Sequence, residues 1–166
     1  MRPHEVRGTG ITRIKPGTRE HKDSLSNVEA SGEFVFNMCT YALREQMIIT
    51  AAHSPASVDE MAQAGLEAAA SVNVKPPRVK ASPIAMECKL LQVVDLPRPA
   101  DGSRANVVIG QVVGIHIADE VISDGIIDVK KLDPLARLGY LDYARLDLDN
   151  MFSLRPPGGD HRFVGR

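Results

Sequence analysis

Neither sign of charge dominates this chain. Twenty basic and 21 acidic residues leave a net charge of -1. That balance excludes a partner held by bulk electrostatics, such as a nucleic acid or an anionic membrane surface. The basic residues clustered in the first 22 positions and after Arg155 read as solvated ends. Tryptophan is absent and aromatics amount to 4%. There are only two cysteines, Cys39 and Cys88, each in an apolar, strand-like run. Neither belongs to a CxxC pair or a His/Cys cluster, so buried free thiols in a reducing compartment are expected. No apolar stretch approaches the length that spans a bilayer. The opening "MRPHEVRGTG" has no apolar core of a secretory signal. A cytoplasmic protein is the expectation. Phosphate-loop, GxGxxG, zinc-ligand and Ser-His-Asp signatures are also missing.

What is present is an ordinary globular composition, 43% hydrophobic and 25% charged, in 166 residues. That length suits one domain with a real core. Residues 1–20 mix Gly, Pro and Arg without a period, so an irregular arm is expected, with a short strand at Ile11–Ile14. From Asp23 the pattern sharpens. Asp23 or Ser24 can cap a helix that buries Leu25 and Val28, with Ser26 as a capping-box alternative, and Gly32 stops it. "EFVFNMC" alternates as a strand. Thr40 opens a helix with a Leu43, Met47, Ala51 stripe. "VDEMAQAG" predicts a short helix closed by Gly65, and "VKPPRVKASP" an extended run. "PIAMECKLLQVVDL" and "ANVVIGQVVGIHIAD" predict two long antiparallel strands. In the first, Ile84, Met86, Cys88 and Leu90 face one way, with Glu87 and Lys89 opposite. Asp124-Gly125 is a strong hairpin signal. Asp133-Pro134 predicts a one-turn helix ended by Gly139. Long strands with short helices between them predict a mainly β barrel.

Three constellations could carry chemistry. In the strand from Asn106 to Ile117, alternation puts Gly110, Gly114 and His116 on one face with Val108 and Val112. Glycines there admit another backbone or a ligand, and His116 can contact a cofactor or move a proton. Equally, the glycines can ease barrel coiling around a satisfied rim histidine. Lys22-Asp23-Ser24 at a helix start is either an anion corner or a cap beside a solvated lysine. Arg137, Tyr140 and Tyr143 either line a ligand site at the barrel mouth or pack on it. The histidines at 4, 21, 53 and 161 fall in loops or arms and read as solvated.

Four stretches occur in order: "HKDSLSNVEASGEFVFNMCT", "KPPRVKASPIAMECKLLQVV", "NVVIGQVVGIHIADEVISDGIID" and "LDPLARLGYLDYARL". Together they resemble the flavin reductase-like, FMN-binding split-barrel family, in the group with the reductase component of nitrilotriacetate monooxygenase. The resemblance runs from about His21 to Leu154. It implies a Greek-key split β-barrel domain over 21–154, between the arm and a tail at 155–166. It also implies a homodimer with FMN at the subunit interface, NAD(P)H as hydride donor and a possible monooxygenase partner. Lys22, Asp23 and Ser24 match the family's Lys-Asp-Thr phosphate corner, with His21 where arginine is frequent. Asn37 matches the asparagine that ends the following strand. His116 matches the histidine of the long strand, near flavin or nicotinamide. Tyr143 matches the tyrosine of the Gly-x-x-Asp-Tyr-Ala loop. A heme or deazaflavin ligand ranks below FMN, since His116 alone suggests an axial ligand.

One departure sets an alternative beside this reading. Members of the family place strands like "PRPIALVST…NLAPFSFF" ahead of the corner, and the residues before Lys22 show no such motif. The expected barrel is therefore incomplete at its N-terminus, with strand edges that a partner chain or the arm must cover. The alternative is a dimeric split-barrel module with weak or no flavin binding and no reductase activity.

Overall fold

The computed structural model describes residues 7–13, 23–52, 54–55, 57–97, 105–146, 148–152, 154 and 157. In chain order the elements are β1 (Arg7–Arg13), α1 (Asp23–Ser31), β2 (Glu33–Asn37), α2 (Arg44–Thr50), α3 (Glu60–Gln63), β3 (Ala68–Ala69), β4 (Arg78–Val79), β5 (Ile84–Asp95) and β6 (Ala105–Ile117). They continue with β7 (Ile122–Ser123), β8 (Ile126–Ile127), α4 (Val129–Leu132), β9 (Leu135–Gly139) and β10 (Asp142–Arg145). Among the described residues three single 3-10 turns complete them, one of which is Tyr41–Leu43 just before α2. The chain is mainly β with short helices, as the sequence predicts.

The central sheet is antiparallel, in the order β1-β6-β5-β2. Its spine is the predicted hairpin of β5 and β6, whose β-branched runs suit a half-buried pleated surface. The arm is not irregular throughout. Arg7–Arg13 pairs with Ala105–Gln111 and covers that edge of β6. This strand starts four residues earlier than expected, because β6 offers free N–H and C=O groups that pairing satisfies.

Local signals place the small elements. Leu25 is 1% exposed and anchors α1, which starts at Asp23 and ends at Gly32, where φ is +69°. Asp59 caps α3 by accepting from the N–H groups of Met61 and Ala62. The Asp124-Gly125 turn takes positive φ at both positions, which matches the right-handed twist of a two-residue hairpin. Thr40 precedes the 3-10 turn, but its side chain makes no cap bond.

The predicted helix at Asp133 is replaced by a β-hairpin. The one-turn helix lies earlier, at α4, where the Asp128 side chain accepts from Lys130 and Lys131 N–H. Asp133 is the C-cap of α4, with φ +46°. Its carbonyl accepts from Tyr41 N–H, and Leu135 N–H donates to Cys39 O. Those two bonds hold the chain extended into β9.

The shared face of Gly110, Gly114 and His116 is also corrected. Glu87 pairs with Gly114 while Cys88 pairs with Val112, so Val113 is an extra residue in β6. Such a bulge reverses which side the later residues face. Gly114 and His116 lie on the face of Glu87, and Gly110 lies on the opposite face with Cys88 and Phe34. A Cβ at Gly110 would sit 2.4 Å from Phe34 Cζ and 3.2 Å from Cys88 Cβ. Gly110→Ala is therefore expected to lower stability by about 1–3 kcal/mol through overpacking. Urea unfolding would show it, and Phe34→Leu in the same chain should recover part of the loss.

A hydrophobic cluster of Ile84, Val121 and Leu132 closes one end of the sheet, with Met38, Ala118 and Ile127 packed against it. It fixes the start of β5 and the end of β6, where Glu87 and His116 lie.

Candidate functional site

A strap crosses one face of the sheet. Residues 71–79 contain Pro76 and Pro77, which have no N–H to satisfy. Four of the remaining N–H groups find acceptors on the sheet below. Val72 and Asn73 N–H donate to the two carboxylate oxygens of Glu87, at 2.7 and 2.6 Å. Lys75 N–H donates to Glu33 at 2.9 Å, and Val79 N–H to Asn37 Oδ1 at 2.9 Å. Glu33, Val35 and Asn37 alternate onto the face of Ala85 and Glu87. One face thus carries every acceptor for these strap bonds.

Glu87 is the centre of this face. Its side chain is 0% exposed, and its Oε1 lies 2.5 Å from His116 Nε2, while His116 keeps 25% of its surface. Burial pushes the carboxyl up. The hydrogen bonds from His116, the Val72 and Asn73 N–H groups and the Asn73 side chain outweigh burial and hold it down, at about 2. A buried carboxylate survives in this way when its lone pairs are filled. The folded carboxyl ionises below its ordinary value of 4.5. Its contribution to stability is therefore complete above that value and lost as pH falls through about 2. Acid titration of the urea midpoint should show a fall across that window in the wild type and a flatter curve in E87Q.

A second constellation lies at the β9–β10 hairpin. The Tyr41 ring sits between two guanidiniums, with Arg44 at 4.2 Å and Arg145 at 4.6 Å from its centroid. Arg145 also pairs with Asp133 at 2.7 Å, so the hairpin is clamped to the start of the 3-10 turn. Between α2 and the hairpin lies an open cleft of about 470 Å³, lined by Tyr41, Met47, Ile48, Leu135, Tyr143 and Arg145 among others. The Tyr143 hydroxyl reaches Met47 Sδ at 4.0 Å, and Arg137 lies 5.7 Å from its ring. Tyr140, by contrast, is 95% exposed in the turn. A smaller cavity of about 140 Å³ adjoins α2, with Asn37, Gln46 and Met47 in its wall. There Gln46 Oε1 is buried without a partner.

The predicted site residues fall into three places. Asn37 and His116 share the strapped face, since both oppose Ala85. Tyr143 stands apart on β10, and Met47 of α2 lines both the cavity with Asn37 and the cleft with Tyr143. Asp23 opens α1 and Ser24 is exposed in its first turn. Lys22 lies outside the described residues, as do the histidines at 4, 21, 53 and 161. Sequence reasoning missed Glu87, Tyr41, Arg44 and Arg145. A glutamate in the apolar half of β5, opposite a glycine, was the available signal for the first. The cysteines are free, and burial raises both thiols.

Residues 15–137 match the family model described as "Flavin reductase like domain". An uncharacterized protein of Aquifex aeolicus (strain VF5) is 32% identical over 125 residues, covering 75% of this chain and 61% of that protein. The chain thus spans about three fifths of that relative's length. The structure of nitrilotriacetate monooxygenase component B from Bacillus cereus has a TM-score of 0.80 at 29% identity, covering 91% of this chain and 75% of that one. An FMN-binding domain of a flavin reductases-like enzyme from Shewanella baltica OS155 has a TM-score of 0.63 at 17% identity, covering 89% and 74%. The architecture is that of split-barrel flavin reductase-like folds.

Proposed function

The chain belongs to the flavin reductase-like domain family, and on that premise we propose that it binds FMN and passes hydride from NAD(P)H to the flavin. The observation that supports this most is the likeness to component B of nitrilotriacetate monooxygenase, over 91% of the chain. The working unit is a homodimer with flavin at the subunit interface, delivering reduced flavin to a monooxygenase partner. The domain extends over 21–154. A cytoplasmic setting accords with two free thiols. Among the described residues no helix is long and apolar enough to cross a membrane.

The chain's own residues fit FMN. The first turn of α1 offers N–H groups that have no partner within the helix, and the exposed Ser24 hydroxyl, a donor set for a phosphate. The cleft beside α2 combines tyrosines, arginines and aliphatic side chains, a lining suited to a planar ring. Gln46 supplies a buried acceptor without a partner. Lys22, Asp23 and Ser24 would hold the phosphate, and Asn37 and Tyr143 would contact the rest of the group. The flavin, when bound, supplies a two-electron hydride acceptor. His116 holds and releases a proton at the strapped face.

Absorbance titration of the purified protein with FMN, followed by NAD(P)H, tests the proposal. Saturable binding and NAD(P)H-dependent bleaching are expected. A protein that dimerises but takes up no FMN would instead be a split-barrel interaction module.

A further inference from the structure

The strapped face holds an arrangement that the proposed reduction does not by itself require. Glu87 cannot turn away from His116. Both of its oxygens are committed to strap N–H groups, and Oε1 also meets His116 Nε2. The space for this is made by Gly114, directly opposite Glu87. A Cβ at Gly114 would lie 2.5 Å from Asn73 Nδ2 and 3.3 Å from Glu87 Oε2. The glycine is therefore needed where the carboxylate and the Asn73 amide fill the volume beside the ring.

An ionised carboxylate only accepts hydrogen bonds, so the nitrogen facing it must carry a proton. We propose that Glu87 is a positioning residue for His116: it pins the ring's Nε2–H, so that His116 exchanges its proton at Nδ1. When the imidazolium gives up a proton, the Nδ1–H bond breaks and its electron pair stays on Nδ1. The neutral ring keeps Nε2–H on Glu87, and solvent returns the proton to Nδ1. No other bond changes, and nothing is oxidised or reduced in the step. A hydride acceptor that finishes by taking up one proton is the kind of partner this serves. That last link rests on the reading of the site as a flavin reductase. The titratable side chains that β2 and β5 place on this face are Glu33, Glu87 and Lys89, and the strap adds Lys75 and Arg78.

Histidine-selective nitrogen–proton NMR of the full chain tests the assignment without any cofactor. Neutral His116 should be the Nε2–H tautomer. In E87Q, whose side-chain amide can donate as well as accept, the Nδ1–H tautomer should gain population. An Nδ1–H tautomer in the wild type, or the same tautomer population in the two proteins, would overturn the proposal. Should E87Q fail to fold, the wild-type tautomer still decides. With FMN and NAD(P)H, kcat of E87Q should fall severalfold while KM for NAD(P)H stays constant. A changed tautomer population with an unchanged kcat would remove His116 from the reaction and sink the proposal. A wild type that binds no FMN yet shows the Nε2–H tautomer would end the reductase reading and leave the Glu87 assignment standing.

Discussion

E87A is expected to lose about 3–5 kcal/mol of stability, the usual cost of removing one partner from a buried charged network. Alanine offers no acceptor. Val72 N–H, Asn73 N–H and the His116 ring would all lose their partner at once. Water can reach part of what those donors lose, since Val72 and Asn73 are exposed residues, but the cavity left by the wholly buried Glu87 side chain adds to the cost. Against a typical total of about 5–15 kcal/mol, that is about a fifth or more of the protein's stability. The loss should be local before it is global. Glu33 and Asn37 still hold Lys75 and Val79, so the strap should open at its 71–73 end first. Native-state hydrogen exchange would report it as faster exchange at Val72 and Asn73, with the β5–β6 amides little changed. E87Q keeps one carbonyl oxygen and should lose less. If E87A unfolds at the wild-type urea concentration and both amides keep their protection, the strap is not held by Glu87.

This prediction turns on a residue that the sequence pattern set on the outward side of β5. The alternation itself is right. Glu87 and Lys89 do face away from Ile84, Met86 and Cys88. What alternation cannot carry is which faces the rest of the chain covers. At Ala85 and Glu87 the strap covers the second face, and both are 0% exposed. Two residues on, Lys89 is free of the strap and exposed. The β5–β6 hairpin, the Asp124-Gly125 turn and the ends of α1 and α3 were legible because each is set by nearby residues. The Val113 bulge was not, because nothing in Val112-Val113-Gly114 marks which residue is the extra one. The segment from Leu135 to Gly139 misled for a related reason. Asp-Pro followed by an apolar residue is a good helix start. The main-chain bonds to Cys39 and Tyr41, nearly a hundred residues earlier, override it. Of the site, the sequence placed Asn37 and His116 on the strands that bring them to one face. The carboxylate beside them was signalled only by a glutamate in the apolar half of β5.

The second large effect is expected at the corner that opens α1. K22A should bind FMN about 10–100-fold more weakly than the wild type and bind riboflavin equally well. The two ligands differ only in the phosphate, so their comparison isolates the grip on that group. A hydrogen bond to a charged group contributes about 1.5–3 kcal/mol, and each 1.4 kcal/mol is about tenfold in affinity. The first-turn N–H groups and the Ser24 hydroxyl would remain, so binding should weaken and not vanish. S24A removes a neutral donor and should lose less than about tenfold. The corner is anchored for this work. Leu25, the residue after Ser24, is 1% exposed, and Gly32 passes the helix directly into β2. Raising the salt concentration should narrow the FMN–riboflavin gap in the wild type far more than in K22A, because salt screens a lysine's attraction to a phosphate. Fluorescence titration with both ligands at two ionic strengths measures all of this. If K22A weakens FMN and riboflavin alike, the lysine supports the fold and not the phosphate. If it weakens neither, the phosphate is held elsewhere, and the family's Lys-Asp-Thr corner has kept only its capping role in this chain.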